Sequence, residues 1–391
     1  MSSHLVHGMG TEWVAPDWPP LTAREADQLL GRFARLGGAG RVLWRSPRPL
    51  SAAGLIESAR GERVFVKRHH VSVRSAAGLL EEHGFLAHLA ARGAPVVTVL
   101  ADDGGDTAIS MGPWTYEVHT VGRGRDLYRD AISWSPFTSL GHARSAGRAL
   151  AELHEAAQGY DALRRAPQPL LGGFTVFAAD EPLAALEAYA AERPQVAAEL
   201  ARRPWRADLE RWHLPFHNRL HPHLEHLDPL WTHNDLHASN LMWERGAVST
   251  VFDFGLADRA FAVHDLAVAI ERNAVEWVEL DAKGADAVHE DVALALVEGY
   301  TQVTKLTDAE HAALPDLLPL CHVDYSLSEI DYFRSVTASA DNTDLAYRYL
   351  VDHTAWFAGP LGSRLLDRLR TSEQHRSGRP GSSTAASGRR D

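Results

Sequence analysis

The alternation of apolar and polar residues divides the chain into a strand-rich part and a helix-rich part. From about residue 40 to 121, short apolar runs are separated by Gly, Pro and Ser, as in GRVLW, GLIES, RVFVKR, TAIS and WTYEVHTV. Such runs predict strands, and one helical stretch, SAAGLLEEHGFLAHLAAR, lies among them. From about residue 139 onward, apolar residues recur at helical spacing, as in SLGHARSAGRALAELHEAA, EPLAALEAYAAE, DVALALVEGYTQVT and LPLCHVDYSLSEIDYFRSV.

This pattern predicts an α+β fold with two lobes, a small sheet-rich lobe and a larger, mainly helical one. A hairpin-like stretch, LMWERGAVSTVFDF, interrupts the helical part near 241–254, and a connector is expected near 117–122. We expect residues 1–20 to form a flexible arm, 21–121 the first lobe, 122–370 the second, and 371–391 a disordered polar tail. Neither end is expected to carry chemistry. A cleft between two such lobes is a natural ligand site.

Composition narrows the classes of partner. The chain has 391 residues, 45% hydrophobic and 23% charged, with a net charge of −12 and one cysteine, Cys321. The acidic balance argues against nucleic acid or an anionic membrane as a partner and is compatible with a cationic small molecule. The lone cysteine excludes an internal disulfide framework and fits a reducing compartment. With neither a membrane-length apolar run nor a signal-like start, the expected location is cytoplasmic.

The stretch WTHNDLHASN, residues 231–240, is open to two interpretations: a transition-metal site built on its histidines, or a phosphoryl-transfer loop. Asp235 and Asn240 have the spacing of the loop H-R-D-x-x-x-x-N, and FDFG follows with Asp253 at the end of an apolar strand. Together these favour phosphoryl transfer. Asp235 is then the predicted base, Asn240 and Asp253 the predicted Mg²⁺ ligands, and His233 and His237 shape the loop.

A phosphoryl-transfer site of this kind also needs a lysine from the sheet-rich lobe. VFVK supplies Lys67 at the end of an alternating strand. On the following helix, Glu82 shares the apolar stripe of Leu79, Leu86 and Leu89, whereas Glu81 does not. A buried acid needs a partner, so we predict that Glu82 pairs with Lys67.

These motifs resemble the aminoglycoside phosphotransferase, choline kinase and homoserine kinase superfamily, which has the protein-kinase-like fold. The resemblance spans about residues 40–270 and includes VFVK, LAELH ending at His154, HNDLHASN, FDFG and HDLA with Asp265. It implies that ATP is the donor and that the first lobe binds the nucleotide. It also implies that Asp265 braces the catalytic loop from behind, that His154 is structural, and that backbone groups near Val118 and Thr120 hold adenine.

Two departures from the family pattern are visible. Asn234 stands where many members have Gly, and the stretch RPLSAAG lacks the motif G-x-G-x-x-G. Ser51 and Gly54 are the residues we expect to cover the phosphates.

The acceptor is predicted to be a small molecule with a hydroxyl group. Eleven residues separate Asp253 from Asp265 and no A-P-E follows, which is too little chain for a peptide platform. The helical part from 272 to 370 should then wall the acceptor pocket, and an acid-and-aromatic pocket would suit an amine. The candidate acceptor-binding residues are Glu276, Trp277, Asp324, Tyr325, Glu329, Asp331 and Tyr332.

Several alternatives remain open at this stage. Aminoglycoside O-phosphotransferase is the main rival to a metabolite kinase, and a protein kinase and a non-catalytic nucleotide-binding module are the rivals from other classes. His213, His217 and His221 could line one helix face as a metal site, although Pro215 and Pro222 interrupt that face.

Overall fold

A computed structural model describes residues 4–132 and 134–371. The strands are β1 (Val6–His7), β2 (Trp13–Val14), β3 (Ala39–Arg45), β4 (Ala52–Ser58), β5 (Arg63–His70), β6 (Ile109–Met111), β7 (Trp114–Thr120), β8 (Pro229–Thr232), β9 (Leu241–Glu244), β10 (Ala247–Val251) and β11 (Asp258–Phe261). The helices are α1 (Ala23–Leu30), α2 (Ala76–Ala91), α3 (Leu140–Ala157), α4 (Pro182–Ala191), α5 (Pro194–Leu200), α6 (Trp205–Asp208), α7 (Leu214–Leu224), α8 (Ala262–Ala274), α9 (Leu280–Lys283), α10 (Glu290–Thr301), α11 (Asp308–Leu317), α12 (Val323–Ser335), α13 (Ala340–Phe357) and α14 (Pro360–Thr371).

The first lobe is built on an antiparallel sheet in the order β3-β4-β5-β7-β6. In the central pair, Lys67 of β5 lies opposite Glu117 of β7, so both side chains point to the same face of the sheet. Helix α2 begins where Ser75 accepts a hydrogen bond from the backbone N–H of Gly78, which is a typical N-cap. The predicted strands of this lobe and the helix among them are thereby confirmed.

The second lobe is helical and is organised around α8, which is buried along nearly its whole length. Helices α3 and α10 pack against each other at two glycines. A Cβ on Gly147 would lie 2.0 Å from the carbonyl oxygen of Leu296, and one on Gly299 would lie 1.9 Å from that of Arg144. This close approach requires glycine at both positions. It brings His154 of α3 next to Tyr300 of α10, behind the cleft between the lobes.

The hairpin predicted near 241–254 is present as β9 and β10, and a second antiparallel pair, β8 with β11, lies beside it. These two pairs carry the WTHNDLHASN and FDFG segments at their ends. The α+β division into a sheet-rich lobe and a helical lobe is as the hydrophobic pattern predicts. None of the helices within the described ranges has the length and apolarity that a membrane span requires.

The prediction of a flexible N-terminal arm is wrong for the residues that the structure describes. β1 and β2 pair with each other, and the backbone N–H of His7 donates to the carbonyl of Pro47 in the β3–β4 loop. Trp18 stacks on His70 and donates a hydrogen bond to Tyr332 of α12. Local composition missed these contacts because they are made with distant segments. The predicted tail of 371–391 lies outside the described residues, except for Thr371, which ends α14.

Candidate functional site

Two adjoining cavities fill the cleft between the lobes. The hinge-side cavity is walled by apolar side chains of β4, β5 and β9 and by residues 119–122. The arm-side cavity is walled by residues 7–10, by α8 and by α12. The residues that line both cavities are Arg48, Ser51, Lys67, Asn240 and Asp253. Asp235 lines the arm-side cavity.

The loop after β8 turns sharply at Asn234, whose φ is +60°. Asn adopts this left-handed conformation more readily than most residues, which explains how it can stand where many relatives have Gly. Its side chain also secures the turn, because Oδ1 accepts from the Thr232 hydroxyl at 2.8 Å and Nδ2 donates to the carbonyl of Leu256 at 3.3 Å. The departure from the family pattern therefore preserves the loop.

Asp265 of α8 holds this loop from behind. Its two oxygens accept the backbone N–H groups of His233 and Asn234, each at 2.8 Å, and Nε2 of His154 lies 3.0 Å from Oδ2. Burial opposes ionisation of Asp265, but the hydrogen bond and charge of His154 outweigh it and lower the pKa of the carboxyl group. His154 Nδ1 is in turn 2.8 Å from the Tyr300 hydroxyl. This is the arrangement that the resemblance implies.

A second α8 residue, Asn273, grips the same loop and was missed by sequence reasoning. Its Oδ1 accepts from the backbone N–H of Ala238, and its Nδ2 donates to the carbonyl of Leu236, both at 3.0 Å. The signal available in the sequence was its spacing of eight residues from Asp265, which places both on one face of a helix.

Asp235 projects from the loop into the cleft beside Arg272 and His237. Arg272 Nε lies 3.3 Å from Oδ1, and His237 Nε2 lies 3.6 Å from Oδ2. Asn240 Nδ2 donates to the Asp235 carbonyl at 3.0 Å and to Oδ2 at 3.2 Å. Burial raises the pKa of Asp235, but the charges of His237 and Arg272 outweigh it, so the net pKa is lowered. The carboxylate is therefore ionised at neutral pH.

Asp253 and Lys67 join the two lobes across the cleft. Lys67 Nζ lies 2.6 Å from Asp253 Oδ1, and Asp253 has a φ of +62°. A left-handed aspartate is strained, and such strain is typical of functional sites. Although burial opposes both charges, the pair raises the pKa of Lys67 and lowers that of Asp253 well below its usual value. Both groups are charged at neutral pH.

The prediction that Glu82 pairs with Lys67 is wrong. Glu82 is buried on the stripe of α2 as expected, but its Oε2 lies 3.7 Å from an Arg165 nitrogen. Arg165 also donates to the carbonyls of Gly78 and Gly255, so it ties α2 to the segment after Asp253. Lys67 pairs with Asp253 instead, and Glu82 pairs with Arg165, a permanently charged guanidinium from a distant segment of the chain.

The residues predicted to contact a nucleotide are only partly brought together. Ser51 ends the β3–β4 loop and lines the cleft, and Thr120 lines the hinge-side cavity. Gly54 instead lies within β4, where a Cβ would come 2.8 Å from the Trp44 carbonyl oxygen. Val118 is fully buried and its carbonyl accepts from the N–H of Leu100. The Thr120 N–H donates to Thr98 in the same way. Backbone groups of alternate residues point the same way, so these atoms face away from the cleft.

Most of the predicted acceptor residues are engaged elsewhere, and this corrects the predicted pocket. Glu276 pairs with Lys283 and His289, and Trp277 stacks on His353 at 3.6 Å. Asp324 accepts from the backbone and hydroxyl of Thr175. Asp331 lies near Arg193, and Tyr332 contacts the N-terminal arm. These five residues therefore bond to other segments of the chain and do not line the arm-side cavity.

Tyr325 and Glu329 are the two predicted acceptor residues that do line the arm-side cavity. Glu329 is 2% exposed, and its Oε1 has no hydrogen-bond partner among the described residues. Burial raises the pKa of Glu329 to about 7, against the opposing charge of Arg272. The Arg272 guanidinium lies over the rings of Trp134 and Tyr325, at 5.0 and 4.9 Å.

Arg48 is a further residue of the cleft that sequence reasoning missed. It lies in the β3–β4 loop, and its guanidinium donates to the Ser239 hydroxyl at 2.6 Å and to the carbonyl of Ala131 at 2.8 Å. Its charge acts on both Asp235 and Asp253. The loop thus carries a cation where the family resemblance led us to look for glycines.

The histidine cluster near residue 213 does not form a ligand set. His213 bonds the Leu350 carbonyl, and His221 pairs with Asp180 at 3.0 Å. A π-helical turn at Leu209–His213 precedes α7 and alters the spacing that straight helical geometry predicts. The histidines of the 233–237 loop bond backbone, Ser239 and Asp235, as expected of loop-shaping residues.

Comparison with known proteins agrees with this geometry. A homoserine kinase of Gluconobacter oxydans (strain 621H) is 30% identical over 174 residues, which are 44% of this chain and 47% of that protein. The chain thus spans about half the length of the curated relatives it matches.

Two solved structures share the fold. One is an amicoumacin kinase in complex with AMP-PNP and Ca²⁺, at 16% identity and a TM-score of 0.52, covering 80% of this chain and 86% of that one. The other is an aminoglycoside phosphotransferase of Alicyclobacillus acidocaldarius, at 17% identity and a TM-score of 0.50, covering 92% and 98%. A sequence model described as the phosphotransferase enzyme family matches residues 54–291, more than half of the chain. The chain therefore belongs to the phosphotransferase enzyme family.

Proposed function

We propose that this protein is a kinase that transfers the γ-phosphoryl group of ATP to a hydroxyl group of a small, amine-bearing molecule. The observation that carries the proposal is the arrangement of the two cavities. Their shared wall consists of Arg48, Ser51, Lys67, Asn240 and Asp253, while Asp235 faces the arm-side cavity. Phosphoryl transfer between two bound ligands must occur where their cavities meet, which is beside these five residues. The base must lie on the acceptor side of that point.

The hinge-side cavity suits a nucleotide. Ala53, Leu55, Phe65, Met242 and Phe252 provide apolar walls on opposite lobes, between which a planar base would fit. Its inner end is the Lys67–Asp253 pair, where a lysine would neutralise phosphate oxygens. The donor site is therefore assigned to this cavity.

The donor atoms of the shared wall fit Mg²⁺. The amide nitrogen of Asn240 is bonded to Asp235, which makes its Oδ1 the atom that would ligate, together with the carboxylate of Asp253. Carboxylate and amide oxygens are the ligands that Mg²⁺ prefers. When bound, the ion would neutralise charge on the phosphates. Arg48, which also lines both cavities, would act on the same charge.

Asp235 would receive the proton of the acceptor hydroxyl. Its lowered pKa keeps it ionised and able to accept, and Asn240 fixes the orientation of its Oδ2. The Arg272 charge, 3.3 Å from Oδ1, orients the carboxylate from the side opposite Asn240. These contacts hold the base in place before substrate binds, which lowers the reorganisation that the reaction requires.

The arm-side cavity supports an amine-bearing acceptor, through residues other than most of those predicted. Glu329 offers an oxygen without a hydrogen-bond partner, and the Tyr325 ring lies beside it on α12. A bound ammonium group would pair with Glu329 and contact the aromatic rings. Arg48, Arg74 and Arg272 also line this cavity, so an acceptor that carries a carboxylate as well would fit better than a polycation.

An acceptor panel tests the proposal. The measurement is ADP release with homoserine, choline, hydroxylysine, sugars and aminoglycosides. We expect turnover with a small amino alcohol or hydroxy amino acid. Activity on an aminoglycoside alone would replace the proposal with an aminoglycoside O-phosphotransferase. Labelling of a basic protein by radioactive ATP, with no small-molecule activity, would contradict both.

A further inference from the structure

Three histidines surround one buried glutamate in the sheet-rich lobe, and two of them, His69 and His119, also line the cavities of the cleft. Glu117 Oε2 lies 2.9 Å from His83 Nε2 and 2.9 Å from His119 Nε2, and Oε1 lies 3.2 Å from His69 Nε2. All four side chains are buried, and Glu117 is fully buried. We call these four residues the Glu117 cluster. The function proposed above makes no use of it.

Strand geometry brings the cluster together. Glu117 and His119 are two apart on β7, so both point to the same face of the sheet. Lys67 of β5 lies opposite Glu117 in the register, and His69 follows two residues later on the same face. His83 reaches Glu117 on this face from α2. The fold therefore brings the ligand-type atoms of His83, Glu117 and His119 together from one helix and one strand, with His69 of β5 on the second oxygen of Glu117.

The atoms of the cluster have the chemistry and spacing of a metal site. The ligand atoms of His83, Glu117 and His119 all lie within 4.8 Å of one another, the one such group among residues 4–132 and 134–371. Two imidazoles with one carboxylate is a ligand set typical of zinc, whereas Mg²⁺ prefers oxygen alone. His83 Nδ1 lies 2.9 Å from the Thr107 hydroxyl. That contact fixes the ring and turns Nε2 to the centre, as outer partners of metal ligands do.

We propose that the Glu117 cluster binds one divalent transition-metal ion of the zinc class, held by His83 Nε2, the Glu117 carboxylate and His119 Nε2. His69 Nε2 lies 3.2 Å from the other carboxylate oxygen and would orient Glu117 as an outer partner, which leaves the fourth position of a tetrahedral set open. This site is separate from the Mg²⁺ ligands proposed in the cleft, since those are Asn240 and Asp253 of the other lobe. The metal would join α2, the helix that carries Glu82, to β7, the strand that pairs with the Lys67 strand, and so would stabilise the nucleotide-binding lobe.

Metal content of the purified protein is the direct test. The full chain, prepared without a histidine tag from zinc-supplemented culture, is analysed by elemental mass spectrometry. We expect about one equivalent of zinc per chain. Thr107→Val removes only the outer partner and should weaken zinc binding by about 10- to 100-fold in a chelator competition. His88→Ala, on the same helix but outside the cluster, is the matched control and should bind zinc like the unaltered chain.

Removal of a ligand completes the test. His83→Ala and His119→Gln should each lose the zinc equivalent. Should either variant fail to fold, Co²⁺ added to the unaltered chain, stripped of metal, still decides: we expect the intense visible absorption of tetrahedral cobalt. A zinc-free protein that binds neither added Zn²⁺ nor Co²⁺ would show that the cluster is only a hydrogen-bonded network and overturn the proposal. Zinc retained in both ligand variants would overturn it equally.

Discussion

Two residues beside the cleft have the same unusual backbone conformation but different roles, which their positions in the sequence only partly indicate. Asp253 and Asn234 both adopt left-handed backbone conformations, and each lies at the end of a short strand beside the cleft. At Asp253 the strained backbone directs the carboxylate toward Lys67. Asn234 uses the same conformation for a structural purpose, to turn the loop back toward α8. Backbone strain of this kind is expected at a ligand-binding residue such as Asp253. At Asn234 the same conformation is expected because the residue forms a turn.

Separate substitutions of the two carboxylates distinguish proton transfer from metal binding. Asp235→Asn keeps the hydrogen bond to Asn240 but removes the proton acceptor, so turnover should fall by about 10²- to 10⁴-fold with nearly unchanged affinity for Mg²⁺-ATP. Asp253→Ala should weaken Mg²⁺-ATP binding as well. Calorimetric titration with Mg²⁺-ATP and steady-state ADP release are the measurements. Unaltered turnover in either variant would contradict the assigned roles.

Glu329 predicts a pH dependence of acceptor binding. Burial raises its pKa to about 7, and Arg272, Tyr325, Glu271 and Asp235 are the charged or titratable groups that act on it. The folded state holds this proton more tightly than the unfolded chain, so the group lowers stability as pH rises from its usual range to about 7. Acceptor affinity should change in the opposite direction, because the ionised form pairs with an ammonium group.

The corresponding experiment measures kcat/KM for an amine-bearing acceptor between pH 6 and 8. We expect it to rise through about pH 7 in the unaltered protein and to lose that rise in Glu329→Gln, with KM about tenfold higher at pH 8. The KM for ATP serves as an internal control and should change little. A pH profile that is identical in the two proteins would exclude Glu329 from acceptor binding.

At the scale of elements, helix α8 is the part that holds the site in place. It carries Asp265, Arg272 and Asn273, which contact the start, the middle and the end of the loop. Helix α3 supports it through His154, and α10 supports His154 through Tyr300. The loop at 233–240 is therefore held directly by α8, which α3 and α10 support from behind. Such support limits the motion of Asp235.

Asp265→Asn tests this support. The amide cannot accept two backbone N–H bonds and the His154 proton in the same way, so the free energy of unfolding should fall by about 2 kcal/mol. The kcat should fall while the KM for ATP changes little, because Asp265 contacts the loop and not the nucleotide cavity. Denaturant unfolding and steady-state kinetics give both quantities. Asp367→Asn, in an exposed ion pair on α14, is the control and should change stability by less than about 0.5 kcal/mol.

At the scale of the whole molecule, the lobes are joined by contacts between distant segments. Lys67 meets Asp253, Arg165 connects α2 to Gly255, and Arg74 donates to the same Gly255 carbonyl. The N-terminal arm adds a further connection, since Pro47 of the sheet-rich lobe binds His7 while Tyr332 of the helical lobe binds Trp18. The arm thereby closes one side of the arm-side cavity.

Deletion of residues 1–14 should open that cavity. It removes β1 and β2 but keeps Asp17 and Trp18, which bond Tyr332. We expect acceptor kcat/KM to fall by about tenfold, or ~1.4 kcal/mol, and acceptor-independent ATP hydrolysis to rise because water reaches the shared wall. The hinge-side cavity lies apart from these strands, so ATP affinity should persist. Wild-type acceptor kinetics in the truncated protein would show that the arm is not part of the site.

The sequence by itself determined the features that depend on local pattern and spacing. Alternating and helical periodicities indicated the two lobes, and the five-residue interval from Asp235 to Asn240, with FDFG after it, indicated a phosphotransferase. Such local patterns are informative because a strand or a tight loop fixes the relative positions of its own residues.

Only the tertiary structure decided which distant charges meet. Glu82 pairs with Arg165 rather than Lys67, Glu276 and Asp324 face away from the cleft, and Arg48 and Arg272 enter it. It also decided that His69, His83 and His119 gather around Glu117. Pairing between side chains depends on which segments pack together and on how burial ranks the available partners, and neither can be read from one segment alone.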